Sequence, residues 1–299
     1  MPDSKRFLHP EAIGRIARLD LRARHIVEGF LAGIHKSPYF GQSVEFLQHR
    51  EYAPGDELRH VDWKVWAKQD RYYVKQFEED TNLRATLVVD VSGSMQYGSG
   101  PLSKYEYGCT LAASLAYLLL RQQDGVGCLA FDSAVRTKVP HKTKRSHLNS
   151  IIQALDASTP QEKTDIEPIL RATAEAFPRR GLMVLISDLL VDRAGLCKGL
   201  KLLRQHGHDV MVLHVMDDDE LDFEFSGPTR FEGLELDEQL ACNPRALREG
   251  YLEALGAYLS EVRHGCARAG VHYRLIRTSD SLGGALATFL TERRQMLRS

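Results

Sequence analysis

Apolar positions recur along the chain with two different periods. Between Arg84 and Ser94 the sequence reads RATLVVDVSGS, and Leu87, Val88 and Val89 form a continuous apolar run that stops at a carboxylate, Asp90. Such runs fill strands buried on both faces. A second run, Leu182 to Ser187, also stops at a carboxylate, Asp188. Val126 to Phe131, Asp209 to Val215 and Val271 to Ile276 read as further strands, and Val135 to Val139 reads as an antiparallel edge partner across the Asp132-Ser133 turn. Between them the apolar spacing becomes helical, over Tyr105 to Gln123, Leu148 to Leu155, Ile166 to Phe177, Gly195 to His206, Pro244 to Ala269 and Leu282 to Met296. Strands alternating with helices predict an α/β fold with a doubly wound, mostly parallel sheet covered on both faces. Ligands of such sheets sit beyond the carboxyl ends of the strands, where Asp90 and Asp188 fall.

The chain before Arg84 reads differently. Pro10 to Ile34 has helical spacing, with Pro10 suited to a first turn, and predicts one or two amphipathic helices. The pattern then breaks at Ser37-Pro38 and Gly41. Short strands are expected around Val44, Phe46 and Leu47 and around Tyr72, Val74 and Phe77, with the turn Pro54-Gly55-Asp56 between them. The chain therefore divides into an N-terminal segment, 1–80, and a main domain, 81–299. The N-terminal segment mixes charge with aromatics at Arg50, Tyr52, Asp56, Arg59, Asp62, Trp63 and Trp66. A solvated face needs no tryptophans. Either the charges pair with one another while the rings anchor the segment on the main domain, or the surface docks a partner, for which Trp and Arg are favoured anchors.

Composition narrows the function. The 299 residues carry 39 Lys and Arg against 40 Asp and Glu, which gives no electrostatic reason to expect nucleic acid or an anionic membrane as the main partner. Leu111 to Leu120 is too short to cross a bilayer, which takes about 20 apolar residues, so no membrane span is expected. The first residues lack a secretory signal, which makes the cytoplasm the expected location. Cys109, Cys128, Cys197, Cys242 and Cys266 are scattered and never spaced C-x-x-C, as expected of reduced core thiols. His141 to His147 reads as a solvated basic loop, Asp217 to Glu220 as a solvated acidic turn, and Phe223 to Glu238 as a small hairpin extension.

Asp90, Ser92 and Ser94 fall on alternate residues around Gly93, so a tight loop would aim one carboxylate and two hydroxyls at one point. Oxygen donors suit Mg²⁺, Mn²⁺ or Ca²⁺ and disfavour zinc or copper. This D-x-S-x-S run resembles the metal-ion-dependent adhesion site of von Willebrand factor A-type domains. That resemblance implies a distant Thr and a distant Asp, which fall at Thr164 and Asp188; in this sequence Lys163 stands where a glycine often does. Thr164 or Asp165 is also placed to cap the following helix.

Glu45 to Lys64 reads E-F-L-x-x-R-E-Y-x-P-G-D-x-x-R-x-x-D-W-K and, with Asp90 to Met95, resembles the family called domain of unknown function 58. Members join this signature to a von Willebrand A-like domain and are associated with MoxR-type AAA+ ATPases. Many relatives begin with two membrane helices, where this sequence has the Pro10 to Ile34 pattern, which implies a soluble branch. The resemblance implies a non-catalytic, metal-dependent interaction module that acts as adaptor between such an ATPase and a client protein. The alternative is a metal-dependent hydrolase or phosphatase using Asp90 and Asp188. Against it, no histidine lies in the three loops and Ser92 replaces the second carboxylate of a D-x-D phosphatase pattern. Gly93 to Gly98 has G-x-x-x-x-G spacing, but Ser99-Gly100 follows where a P-loop has Lys and Ser or Thr.

Overall fold

The computed structural model describes residues 10–14, 16–35, 48–51, 73–76, 83–157, 165–234 and 239–296. The chain forms two compact units, Ala32–Asn82 and Met1–Leu31 with Leu83–Ser299. In the smaller one, β1 (Gln48–Glu51) pairs antiparallel with β2 (Tyr73–Gln76), setting Arg50 opposite Val74. Tyr52, Asp56, Arg59, Asp62, Trp63 and Trp66 lie outside the described residues.

The larger unit opens with α1 (Pro10–Gly14) and α2 (Leu19–His35), the two helices of the N-terminal pattern, the division between the units falling within α2 after Leu31. Its core is a six-stranded sheet of β3 (Arg84–Asp90), β4 (Gly125–Phe131), β5 (Val135–Lys142), β6 (Leu182–Ser187), β7 (Asp209–Met216) and β10 (His272–Arg277). The remaining strands, β8 (Thr229–Glu232) and β9 (Gln239–Cys242), form a separate antiparallel hairpin. The sheet order is β10-β7-β6-β3-β4-β5, parallel except for β5. The chain winds outward from β3 to one edge and then returns to β6 to wind the other way. β3 and β6 therefore flank the switch point, where loops diverge to opposite faces and leave a crevice.

The helices are α3 (Lys104–Arg121), α4 (His147–Asp156), α5 (Ile166–Ala176), α6 (Arg193–Gln205), the short α7 (Asp218–Asp222), α8 (Pro244–Arg268) and α9 (Leu282–Met296). Side chains alternate across a strand, so each strand feeds two cores. Val88, Leu129, Phe131, Met183, Leu185, Val210 and Val212 pack with Ile169 and Leu170 of α5, Leu196 and Leu200 of α6 and Val262 of α8. The alternate positions face α3, whose Gly108 leaves no room for a side chain larger than hydrogen without crowding Ile186, 3.3 Å from where a Cβ would sit. Ser103 fixes the start of α3 through a reciprocal capping box with Glu106. On the far edge of the sheet, β5 buries only Val139; Arg136, Lys138, Pro140 and Lys142 point to solvent.

Some local expectations change. His147 is not part of a solvated loop: it opens α4, is buried, and its Nε2 lies 3.1 Å from the Val126 carbonyl. Asp165 occupies the N-cap position of α5 but its side chain makes no capping bond. Cys197 and Cys242 are half-buried rather than core residues, whereas Cys109, Cys128 and Cys266 are buried and all five thiols are free. Among the described residues no helix is long and apolar enough to cross a membrane.

Candidate metal centre

Asp90 is the last residue of β3 and has no exposed surface. Its carboxylate is fixed from both sides. Oδ1 accepts from the backbone N–H of Ser92 at 2.9 Å, and Oδ2 accepts from the Ser187 hydroxyl, at the end of β6, at 2.5 Å. Ser187 Oγ in turn accepts from the N–H of Leu189 at 2.9 Å, so one serine stitches the two strand ends together. After Asp90 the chain turns into a 3₁₀ turn, Gly93–Gln96, which brings the Ser92 and Ser94 hydroxyls within 3.1 Å of each other. Burial, and after it the charge of Asp188, push the Asp90 carboxyl up to about 7.

Asp188 follows β6 across the switch point and is 1 % exposed. Its Oδ2 accepts from Lys104 Nζ at 2.8 Å, and the same ammonium donates to Glu220 Oε1 at 2.6 Å. Lys104 opens α3 and is fully buried. Burial opposes its charge, but the Asp188 and Glu220 carboxylates outweigh that and hold its pKa above the ordinary value. Burial raises the Glu220 carboxyl despite the lysine beside it. Behind Asp188 lies His214 of β7. Its Nε2 bonds the Asp188 carbonyl at 2.7 Å and its Nδ1 lies 2.8 Å from the Tyr273 hydroxyl. A carbonyl only accepts, so Nε2 carries the proton and Nδ1 accepts from the tyrosine. Burial pushes this histidine down to about 4, which keeps it neutral.

The acidic turn is no solvated loop. Asp217 is fully buried and accepts from Ser99 N–H at 3.1 Å, Ser99 Oγ at 2.5 Å, Thr278 Oγ1 at 2.7 Å and Asp219 N–H at 3.1 Å. Burial favours its protonated form, yet these bonds prevail and keep its pKa below the usual carboxylate range. Glu220 closes the capping box by accepting from the Asp217 N–H at 2.9 Å. Asp217 and Glu220 thus tie the loop after Ser94 and the start of α3 to β7 and β10.

Sequence reasoning therefore brings Asp90, Ser92, Ser94 and Asp188 to one end of the sheet, and Thr164 lies outside the described residues. It missed Ser187, Lys104, His214, Asp217 and Glu220.

The model of the family described as "Protein of unknown function DUF58" matches residues 48–258. The chain belongs to the DUF58 family. An uncharacterized protein of Mycobacterium tuberculosis is 26 % identical over 294 residues, covering 96 % of this chain and 91 % of the relative. Among solved structures, BatB, a conserved hypothetical protein from Bacteroides thetaiotaomicron, is similar with a TM-score of 0.45 at 18 % identity over 71 % of this chain and 99 % of that one. The SpRpn10 VWA domain is similar with a TM-score of 0.42 at 10 % identity, over 68 % and 93 % of the two chains.

The donors of this DUF58 chain suit a hard divalent cation. Two hydroxyl oxygens 3.1 Å apart match neighbouring positions around Mg²⁺, which at ~2.1 Å per bond are about 3 Å apart. Two buried or half-buried carboxyl groups, Asp188 and Glu220, share the single ammonium of Lys104. The set is one of hydroxyls around Asp90 rather than of clustered acids. Consistent with that, no three His, Cys, Asp or Glu side chains among the described residues converge as a metal site.

Proposed function

We propose that this DUF58 protein is a non-catalytic, metal-dependent protein-interaction module that works in the cytoplasm as adaptor between a MoxR-type AAA+ ATPase and a client protein. The observation that carries the reading is the Asp90, Ser92 and Ser94 loop, held at the switch point by the bonds of Ser92 N–H and Ser187 Oγ to Asp90. Asp90, Ser92 and Ser94 would hold Mg²⁺, Mn²⁺ or Ca²⁺, with Thr164 and Asp188 completing the set. The bound ion would supply a Lewis-acid position to which a partner's Asp or Glu carboxylate binds. The chain's own groups fix that position: Ser187 locks the orientation of Asp90, and His214 braces the backbone of Asp188.

Hydrolysis would require a base beside the ion. His214, which bonds the Asp188 carbonyl, has both nitrogens engaged and is buried, which favours a binding site over a reaction centre.

The test is co-purification of tagged protein with a MoxR-type ATPase and its client, with and without EDTA. Retention is expected to fall several-fold on chelation, and equally in Asp90→Ala, Ser92→Ala and Thr164→Ala, with unchanged circular dichroism. Equal retention in EDTA would remove the metal loop from the contact and turn attention to Arg50 to Trp66. No retention of any such ATPase would end the adaptor reading.

A further inference from the structure

Lys104 is an unusual neighbour for a metal loop. A lysine is almost never fully buried unless paired, and this one reaches a carboxylate expected to serve the metal. Its side chain is not free to leave. The backbone N–H of Lys104 donates to the Tyr97 carbonyl at 2.8 Å, and the Ser103–Glu106 capping box fixes the helix turn that carries it. The Nζ also sits 6.0 Å from the centre of the Tyr97 ring. The ammonium divides its charge between Asp188, at 2.8 Å, and Glu220, at 2.6 Å. Glu220 is itself held, through the Asp217 N–H on its side chain and the Tyr251 hydroxyl on its carbonyl.

We propose that Lys104 is a resident cation that competes with the divalent ion for Asp188, so that the free protein holds the ion weakly. This inference rests on the metal reading above and adds its regulation. With Asp188 committed to the ammonium, the ion meets Asp90 as its one charged ligand, together with neutral hydroxyls. Tight holding then needs another negative group, which a partner's carboxylate brings. Ion and partner bind together or not at all, and the protein does not engage partners merely because the ion is present. Glu220 is the reserve partner. When Asp188 turns to the ion, Glu220 still pairs Lys104, so the exchange strands no buried charge. Lys104 and Glu220 act through Asp188 and are positioning residues.

Two substitutions separate this from a purely structural role because they move metal affinity in opposite directions. Lys104→Met removes the competitor and should tighten binding, by about tenfold or more for a charge this close. Glu220→Gln removes the reserve acceptor, concentrates the ammonium on Asp188 and should weaken binding several-fold. The experiment titrates metal-free, full-length protein with MnCl₂, reads free Mn²⁺ by electron paramagnetic resonance, and verifies folding by near-ultraviolet circular dichroism. If Lys104→Met does not fold, Glu220→Gln alone decides. Tighter binding in the first variant or weaker binding in the second supports the proposal. Wild-type binding that neither variant alters overturns it while leaving the metal reading intact. No Mn²⁺ bound at millimolar concentration by wild type or either variant removes the metal reading, and this proposal with it.

Discussion

The two ends of the central sheet bury polar groups in different proportions. At the carboxyl end Asp90, Asp188 and Asp217 are carboxyl groups inside the protein, each held by two or more hydrogen bonds from defined donors. At the amino end the buried polar groups include two imidazoles beside one carboxylate, Asp124, which Arg293 pairs at 3.1 Å. His208 is fully buried with no well-formed hydrogen bond to either ring nitrogen, and Nδ1 of His147 also lacks one. Burial lowers the pKa of both rings, with only modest relief for His208 from the nearby backbone of Gly181 and Phe177. The contrast follows from cost. An ion leaves water only where its pairing is nearly complete, while an imidazole avoids the cost by staying neutral. The nearly even balance of 39 basic and 40 acidic residues conceals this division.

The largest test of the contrast is Lys104→Met in metal-free buffer. It leaves Asp188 and Glu220 facing each other without a cation, and should cost about 3–5 kcal/mol in chemical denaturation. A loss below about 1 kcal/mol would mean that the carboxyl end does not depend on pairing. Ser187→Ala is next. It removes the donor to Asp90 and the acceptor for Leu189 N–H in a buried place, and should cost about 1–3 kcal/mol by the same measurement. The smallest effect concerns the amino end. His141, edge-on to Phe177 at 4.9 Å and bonded to Thr86 at 3.0 Å, is pushed down to about 4 by burial and then by Arg84, with His147 and His208 adding to it. The unfolded chain takes up a proton near pH 6.5 that the folded ring refuses until about pH 4, so stability falls as pH drops through that window. His141→Gln should remove roughly 1–2 kcal/mol of that acid-side loss, less than the full shift because the ring is partly solvated. Parallel stability curves for wild type and variant between pH 7 and 4.5 would show that the ring does not titrate there.

The frame of the fold was legible because fully buried parallel strands must be apolar along their length. LVV and LMVLIS announce β3 and β6, and a carboxylate after each marks the switch point. What stayed hidden depends on where long side chains end. Lys104 stands just before the helix predicted over Tyr105 to Gln123, and nothing in that pattern announces that its ammonium reaches Asp188 and Glu220. Four consecutive acids read as a solvated turn, yet one helical turn separates Asp217 from Glu220 and sends both back toward the sheet. His214 did leave a signal: a polar residue inside the apolar run VMVLHVM of β7 has to find partners within the core.

The exposed edge of the sheet limits how this protein can associate. An unprotected outer strand invites strand addition from other chains, the first step toward domain swapping and aggregation. Along β5, Pro140 offers no N–H, Arg136, Lys138 and Lys142 place positive charge in solvent, and register shifts interrupt its ladder with β4. A newcomer would meet an irregular, electrostatically repulsive border with a gap in its donors. Oligomers built by sheet extension are thereby disfavoured at this edge.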